Sequence, residues 1–267
     1  MSFSLGSSRA TAQISLVPST APFTDISAIG TPIVPFSDDS ETILTVDLLG
    51  PAGWGGNRVF AGGVSVLVGN NGGIIWNPII AAADQIGFAN TPLPGSPSNS
   101  ASGGNGNGLR QFLAVLWDDH LPSDVSPPTE LDWRVIDGDL LIQWTNEDNF
   151  DAVGPGRVTF QVRFFSQAHV AQNGVVASLI YDDTFYGAGL DAFNDGASAT
   201  IGYIGNGVSE ASGTLAYSFN KAAVAGYRES ASPRLPHALD MRIPSPTGAA
   251  MAILGVGAAG VVRRSRR

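Results

Sequence analysis

The residues of this chain best suited to chemistry are aspartate pairs at the ends of apolar runs. Asp118-Asp119 closes the run Phe112 to Trp117, with His120 and Asp124 beside it. Asp182-Asp183 closes a second run, with Asp191 and Asp195 in the loop that follows. Carboxylates clustered on loops with asparagines and backbone carbonyls suit Ca²⁺, a hard cation that takes about six to eight oxygens. Aspartate is also a common turn former, because its carboxylate caps the next backbone amides. Both readings stand, at Asp118, Asp119 and at Asp182, Asp183, and no EF-hand loop or glycine-aspartate nonapeptide repeat decides between them.

Catalysis asks for more than paired acids. A glycosidase needs two carboxylates facing each other across a cleft, about 5–9 Å apart. Asp118, Asp119, Glu147 and Asp148 are the residues that could supply them. A serine hydrolase needs a histidine base, and the only histidines are His120, His169 and His237, with no G-x-S-x-G elbow. Three scattered histidines without cysteine do not read as a zinc site. No catalytic residue is therefore assigned, and the chain reads as non-enzymatic. Of the five tryptophans, Trp76, Trp117, Trp133 and Trp144 lie in strand-like runs and read as core, whereas Trp54, in the glycine-rich stretch 50–56, is the candidate for an exposed sugar platform.

The elements that must position these residues are strands. Val158, Phe160, Val162 and Phe164 alternate with Thr159, Gln161 and Arg163, a period of two that buries one face and leaves the other wet. Runs 133–136 and 140–144 flank Asp137-Gly138-Asp139 and predict a hairpin with a tight Asp-Gly turn. Runs 64–68 and 74–76 flank Gly69-Asn70-Asn71-Gly72-Gly73 and predict another, with glycine and asparagine at positive φ. Further strands are expected at 42–49, 112–117, 175–181, 199–204 and 214–219, and the one helix expected in the body is 79–86. Short strands separated by turn signals predict an all-β fold, a two-sheet antiparallel β-sandwich of the jelly-roll kind. The Pro/Ser/Asn/Gly tract 92–108 cannot bury apolar area and reads as a mobile surface loop.

Charge narrows the partners. Four of the 14 Lys and Arg residues fall within the last five positions, which leaves ten bases against 23 acids before them, a net of −13. A body that acidic repels nucleic acid and anionic lipid. With no cysteine there is no disulfide and no thiolate chemistry, and 267 residues can bury a sufficient core without staples.

The C-terminus has a three-part layout. Pro244-Ser245-Pro246 precedes an uncharged run of 15 small and apolar residues, Gly248 to Val262, and Arg263-Arg264-Ser265-Arg266-Arg267 ends the chain. As a helix the run rises about 22 Å, short of a hydrocarbon core near 30 Å, and arginine stems that snorkel bring it closer to a minimal span. Basic flanks are held on the cytoplasmic side, which would put the body outside. Residues 229–246, with four prolines, read as an extended stalk. At the other end, Met1 to Arg9 lacks the apolar core of a signal peptide, although Ala10-Thr11-Ala12 fits a signal-peptidase site. Either the true start lies upstream or these residues are a polar leader.

This tail resembles the PEP-CTERM sorting signals of Gram-negative bacteria, in which a Pro-Glu-Pro-like box precedes a transmembrane stretch and an arginine cluster. The resemblance makes Pro244, Ser245 and Pro246 the box and Arg263, Arg264, Arg266 and Arg267 the cluster, with serine in place of the usual glutamate. It implies a sorting protease of the exosortase type as partner, membrane anchoring through a C-terminal hydrophobic helix, and an envelope or extracellular location. Within the body, Ser37-Asp38-Asp39-Ser40-Glu41, Val68-Gly69-Asn70-Asn71-Gly72-Gly73, Leu116-Trp117-Asp118-Asp119 and the segment 194–203 resemble a module of bacterial surface proteins distantly like nidogen-type domains. No activity comes with that likeness, which supports an adhesive or structural role by analogy.

The expected organisation is a leader at 1–21, a β-sandwich at 22–228, a stalk and sorting box at 229–247 and a hydrophobic helix with its arginine cluster at 248–267. The expected function is that of a non-enzymatic cell-surface or matrix protein that needs no cofactor unless calcium is bound. The alternatives are an extracellular carbohydrate-binding module, with polysaccharide as partner, and a secreted hydrolase.

Overall fold

A computed structural model describes residues 14–34, 36–45, 65–76, 86–88, 91–93, 111–122, 127–151, 156–205, 214–226 and 235–243. They form two antiparallel sheets. In chain order the strands are β1 (Ser15–Ser19), β2 (Thr31–Pro32), β3 (Glu41–Thr45), β4 (Ser65–Gly69), β5 (Gly73–Trp76), β6 (Gln111–Trp117), β7 (His120–Leu121), β8 (Glu130–Ile136), β9 (Asp139–Asn149), β10 (Val158–Phe164), β11 (Val175–Asp183), β12 (Thr200–Ile204), β13 (Thr214–Phe219) and β14 (Ala238–Arg242). The larger sheet runs β1-β14-β11-β10-β9-β8-β2, with β7 pairing the far end of β9, and the smaller runs β13-β12-β6-β5-β4-β3. One core joins them: Leu140, Ile142, Trp144, Phe160, Val162 and Phe164 from the larger sheet pack with Val66, Val68, Ile74, Trp76, Leu113 and Val115 from the smaller. Trp76 meets Phe164 edge-on at 4.8 Å, and Trp144 stacks on Phe160 at 4.9 Å while its Nε1 donates across the core to Gly69 O.

Both expected hairpins are present. Asp137 and Gly138 take φ of 53° and 84°, the paired left-handed turn whose twist matches the strands it joins. In the second hairpin only Gly72 has positive φ, and a Cβ there would lie 2.3 Å from Leu116 O. Asn70 and Asn71 keep ordinary φ, so they are present for their side chains.

The ends of the body correct the expected boundaries. Residues 15–19, assigned to a leader, form edge strand β1, and residues 238–242, assigned to a stalk, form β14, paired on one side with β1 and on the other with β11. Leu239 and Met241 are fully buried, and this alternation of apolar residues outweighs the prolines around it. A helix that the sequence reading missed, α1 (Gln167–Asn173), is capped by Ser166 and closed by Gly174 in the left-handed conformation. Of the expected helix 79–86 only Ile86 is described, and the tract 92–108 and the hydrophobic segment 248–262 fall largely or wholly outside the described residues. No helix among the described residues is long and apolar enough to cross a membrane.

The outer face of the larger sheet is covered rather than wet. Between β1 at one edge and β2 at the other, residues 20–30 cross it as a strap. Two fully buried glutamines hold the strap down. Gln161 accepts from Thr24 N (3.2 Å) and donates to Thr24 O (2.9 Å), and Gln143 accepts from Ile26 N (3.0 Å) and donates to Asp25 Oδ1 (3.0 Å). At Gly30 the crossing is so close that a Cβ would lie 2.7 Å from that of Asp132. Gln143→Leu leaves the Ile26 amide without its acceptor and should cost about 1–3 kcal/mol of folding stability in a denaturant titration. A loss within experimental error would mean that the strap is held by other contacts.

Candidate functional site

The Asn70-Asn71 turn gathers the acidic residues. Asn70 takes a hydrogen bond into the preceding turn by donating its N–H to Ser40 O (3.0 Å), and its Nδ2 donates to His120 O (2.7 Å). Asn71 donates from Nδ2 to Asp39 Oδ1 (3.0 Å) and accepts at Oδ1 from His120 N (2.9 Å). Both asparagines are buried, and through Asn70 Nδ2 and both ends of the Asn71 amide they tie the loop after β6 to the turn before β3, while Asn70 Oδ1 has no partner among the described residues. Asp38, Asp39 and Asp119 are thereby brought together, one carboxylate oxygen of each lying within 4.8 Å of the others. Burial, then the charges of Asp39, Asp38, Asp118 and Asp151, push the Asp119 carboxyl up to about 6. Burial and Asp39 raise Asp38 as well. Three mutually repelling carboxylates open to solvent on one side are a donor set that fits a hard divalent cation.

This set differs from the pairs expected for a metal. Asp119 belongs to it, but Asp118 turns the other way, accepting from Asp119 N at Oδ1 (3.0 Å) and from the Ser198 hydroxyl at Oδ2. Asp183 caps the Phe185 amide (3.0 Å), the turn-capping role, and Asp182 is buried at the end of β11. The sequence signal that could have found Asp38 and Asp39 is their place in a Ser-Asp-Asp-Ser turn before a strand, although nothing local shows that Asp119 lies across from it.

Behind the acidic cluster lies a second polar group, fully enclosed. His120 is not exposed at all. Its Nε2 lies 2.8 Å from Leu116 O and its Nδ1 lies 3.2 Å from the Tyr186 hydroxyl. A carbonyl only accepts, so Nε2 carries the proton and Nδ1 receives the Tyr186 O–H. Burial pushes the imidazole down and the tyrosine up, which keeps both neutral. Glu147 is also fully buried, and neither of its carboxyl oxygens has a hydrogen-bond partner among the described residues. Burial, with the charge of Asp148 added, drives its carboxyl well above the usual range.

The other expected site residues are dispersed. Asp148 pairs with Arg157 at 3.2 Å. His169 stacks on Phe165 from helix α1, and His237 Nδ1 meets Ala225 O at 2.8 Å beside β14. Trp76, Trp117 and Trp144 are core, whereas Trp54, Asp124 and the whole sorting motif, Pro244 to Pro246 and Arg263 to Arg267, lie outside the described residues. No family model matches the sequence, and none of the curated proteins or solved structures matches it.

Glu147 makes stability depend on pH. Its folded carboxyl holds a proton that the unfolded chain gives up, so its full contribution is present below the ordinary glutamate value and is lost as pH rises toward the folded one. The loss approaches about 1.4 kcal/mol per pH unit above the ordinary glutamate value, for as long as the folded carboxyl keeps its proton. Glu147→Gln should shift the slope of stability against pH in the positive direction over this range, as read in urea titrations. Asp119 and Asp132, each raised to about 6 chiefly by burial, add slope of the same sign, whereas His120, pushed down by burial, adds slope of the opposite sign. An identical slope in the variant would show that Glu147 ionises normally in the fold.

Proposed function

We propose that this chain is a non-enzymatic surface or matrix protein, a jelly-roll-like β-sandwich exported from the cell and sorted through a PEP-CTERM-like tail. In this reading Pro244-Ser245-Pro246 is the recognition box, residues 248–262 form a membrane-inserted helix, and the terminal arginines remain on the cytoplasmic side. The observation that carries the proposal is the place of the box: β14 ends at Arg242, and the box begins two residues later. A protease cutting at or after it spares every described strand. The body delivered outward is the acidic one, which suits a soluble domain facing the environment.

The test is to recover the protein from its native host and determine its C-terminal residue by mass spectrometry. The expected product comes from the envelope or medium, ends near the box and lacks Arg263 to Arg267. Deleting an exosortase-like protease should leave the intact chain in the membrane fraction. Intact chain found free in the cytosol would overturn the proposal.

The same reading places calcium at Asp38, Asp39 and Asp119, where extracellular millimolar concentrations suit a shallow, partly solvated site. Calcium should raise the melting temperature of the wild-type chain and leave Asp119→Asn indifferent, as followed by circular dichroism with and without chelator. A wild-type melt that ignores calcium would remove the metal from the proposal.

A further inference from the structure

The covered outer face of the larger sheet has an opening among the described residues. Where the strap begins, a cleft of about 430 Å³ lies between residues 19–22 and helix α1, floored by Arg163 of β10, Ser178 of β11, and Asp240 and Arg242 of β14. His169 and Asn173 of α1 stand at its wall. The volume falls in the range of small-ligand clefts.

The charges in this cleft have a consistent direction. Asp139 accepts from Arg163 Nε (2.9 Å) and Nη2 (2.7 Å), and the carboxylate side chain is 3% exposed against 21% for the arginine. Asp240 accepts from the Ser178 hydroxyl (2.7 Å) and from Arg242 Nη2 (2.9 Å), and here the exposures are 10% and 49%. In both pairs the carboxylate is the inner partner and the guanidinium the outer one. Each aspartate is engaged by its arginine and orients it, so two outward guanidinium groups face the cleft, with the paired Asp240 carboxylate on the floor behind Arg242. Arg163 also lies over the Phe165 ring at 5.4 Å, and His169 stacks on that ring at 4.1 Å, which stiffens this wall. Two of the ten basic residues that precede the tail thus line one cleft of a strongly acidic body.

We propose that this cleft binds a carboxylate-bearing saccharide, such as the uronate units of an extracellular polysaccharide. Fixed guanidinium groups are the usual recognition element for carboxylates. The uncharged polar groups at the rim, from Ser19, Thr20 and Asn173, suit sugar hydroxyls. An acidic peptide is disfavoured because β10, β11 and β14 are each paired on both sides, so the floor offers no free strand edge for backbone pairing. The site is separate from the acidic cluster, and it does not depend on how the protein is sorted.

The experiment is isothermal titration of the full chain, in mild detergent and with calcium chelated, against oligogalacturonate, a neutral cello-oligosaccharide and polyglutamate. Oligogalacturonate should bind, more weakly as salt is added, while the neutral sugar and polyglutamate should not. Arg242→Gln should lower affinity about tenfold while the circular dichroism spectrum stays that of the folded chain, because the Arg242 side chain is half exposed. Asn173→Asp, at the exposed end of α1, should give a similar loss without touching the Asp240 pair. No binding of oligogalacturonate, or binding unchanged in both variants, would overturn the proposal. Equal binding of polyglutamate would replace the saccharide with an acidic peptide.

Discussion

The two amide side chains of Gln143 and Gln161 settle how the larger sheet can exist. Its inner face is filled by the core shared with the smaller sheet, and its outer face is crossed by residues 20–30, so most of β9 and β10 is shielded from solvent on both sides. A polar group in such a layer has to find its partner within the protein or cost several kcal/mol. The glutamines meet that condition for themselves and for the strap: Gln161 supplies an acceptor and a donor to the Thr24 backbone, and Gln143 accepts from the Ile26 amide and donates to the Asp25 carboxylate. They also bond to each other at 3.2 Å, which ties neighbouring strands into one clamp. The cleft beside α1 lies where the strap begins, before it reaches this clamp, and its contents are charged pairs in place of amides.

The same rule operates at the Asn70-Asn71 turn with a different outcome. There the buried amides of Asn70 and Asn71 are spent on joining loops, and the cost appears in the residues they bring together. Asp119 is raised to about 6 because it is partly buried among like charges, and Glu147 stays protonated because nothing in its enclosure stabilises the anion. Stability has been given up at these two places. The acidic cluster opens to solvent and fits a cation, whereas the Glu147 enclosure is sealed.

Much of the architecture was legible in the sequence because a period of two is a local signal. The β8–β9 hairpin, the β4–β5 hairpin and strand β10 follow from alternation and turn residues alone. What was not legible is decided by long-range pairing. β1 and β14 are short, carry or adjoin prolines, and are strands because they complete each other across more than two hundred residues. The polar set Thr159, Gln161 and Arg163 looks solvated in sequence, since nothing near β10 reveals that the N-terminal segment will lie on it. The acidic site was half visible: Asp119 stood out, but Asp38 and Asp39 reach it only through Asn71. The cleft was not visible at all, because its floor comes from three strands and its wall from a helix whose caps, Ser166 and Gly174, were the only local hint.

The pairing of β1 with β14 has a mechanical consequence. Ser15 lies opposite Arg242 and Ser19 opposite Ala238, so the segments leading into β1 and out of β14 emerge at the same end of the sheet. A tether attached after Arg242 that pulls along β14 loads the hydrogen bonds to β1 and β11 together, in shear, instead of opening them one at a time. A strand held on both flanks in this way is a firm attachment point for whatever is joined to its end.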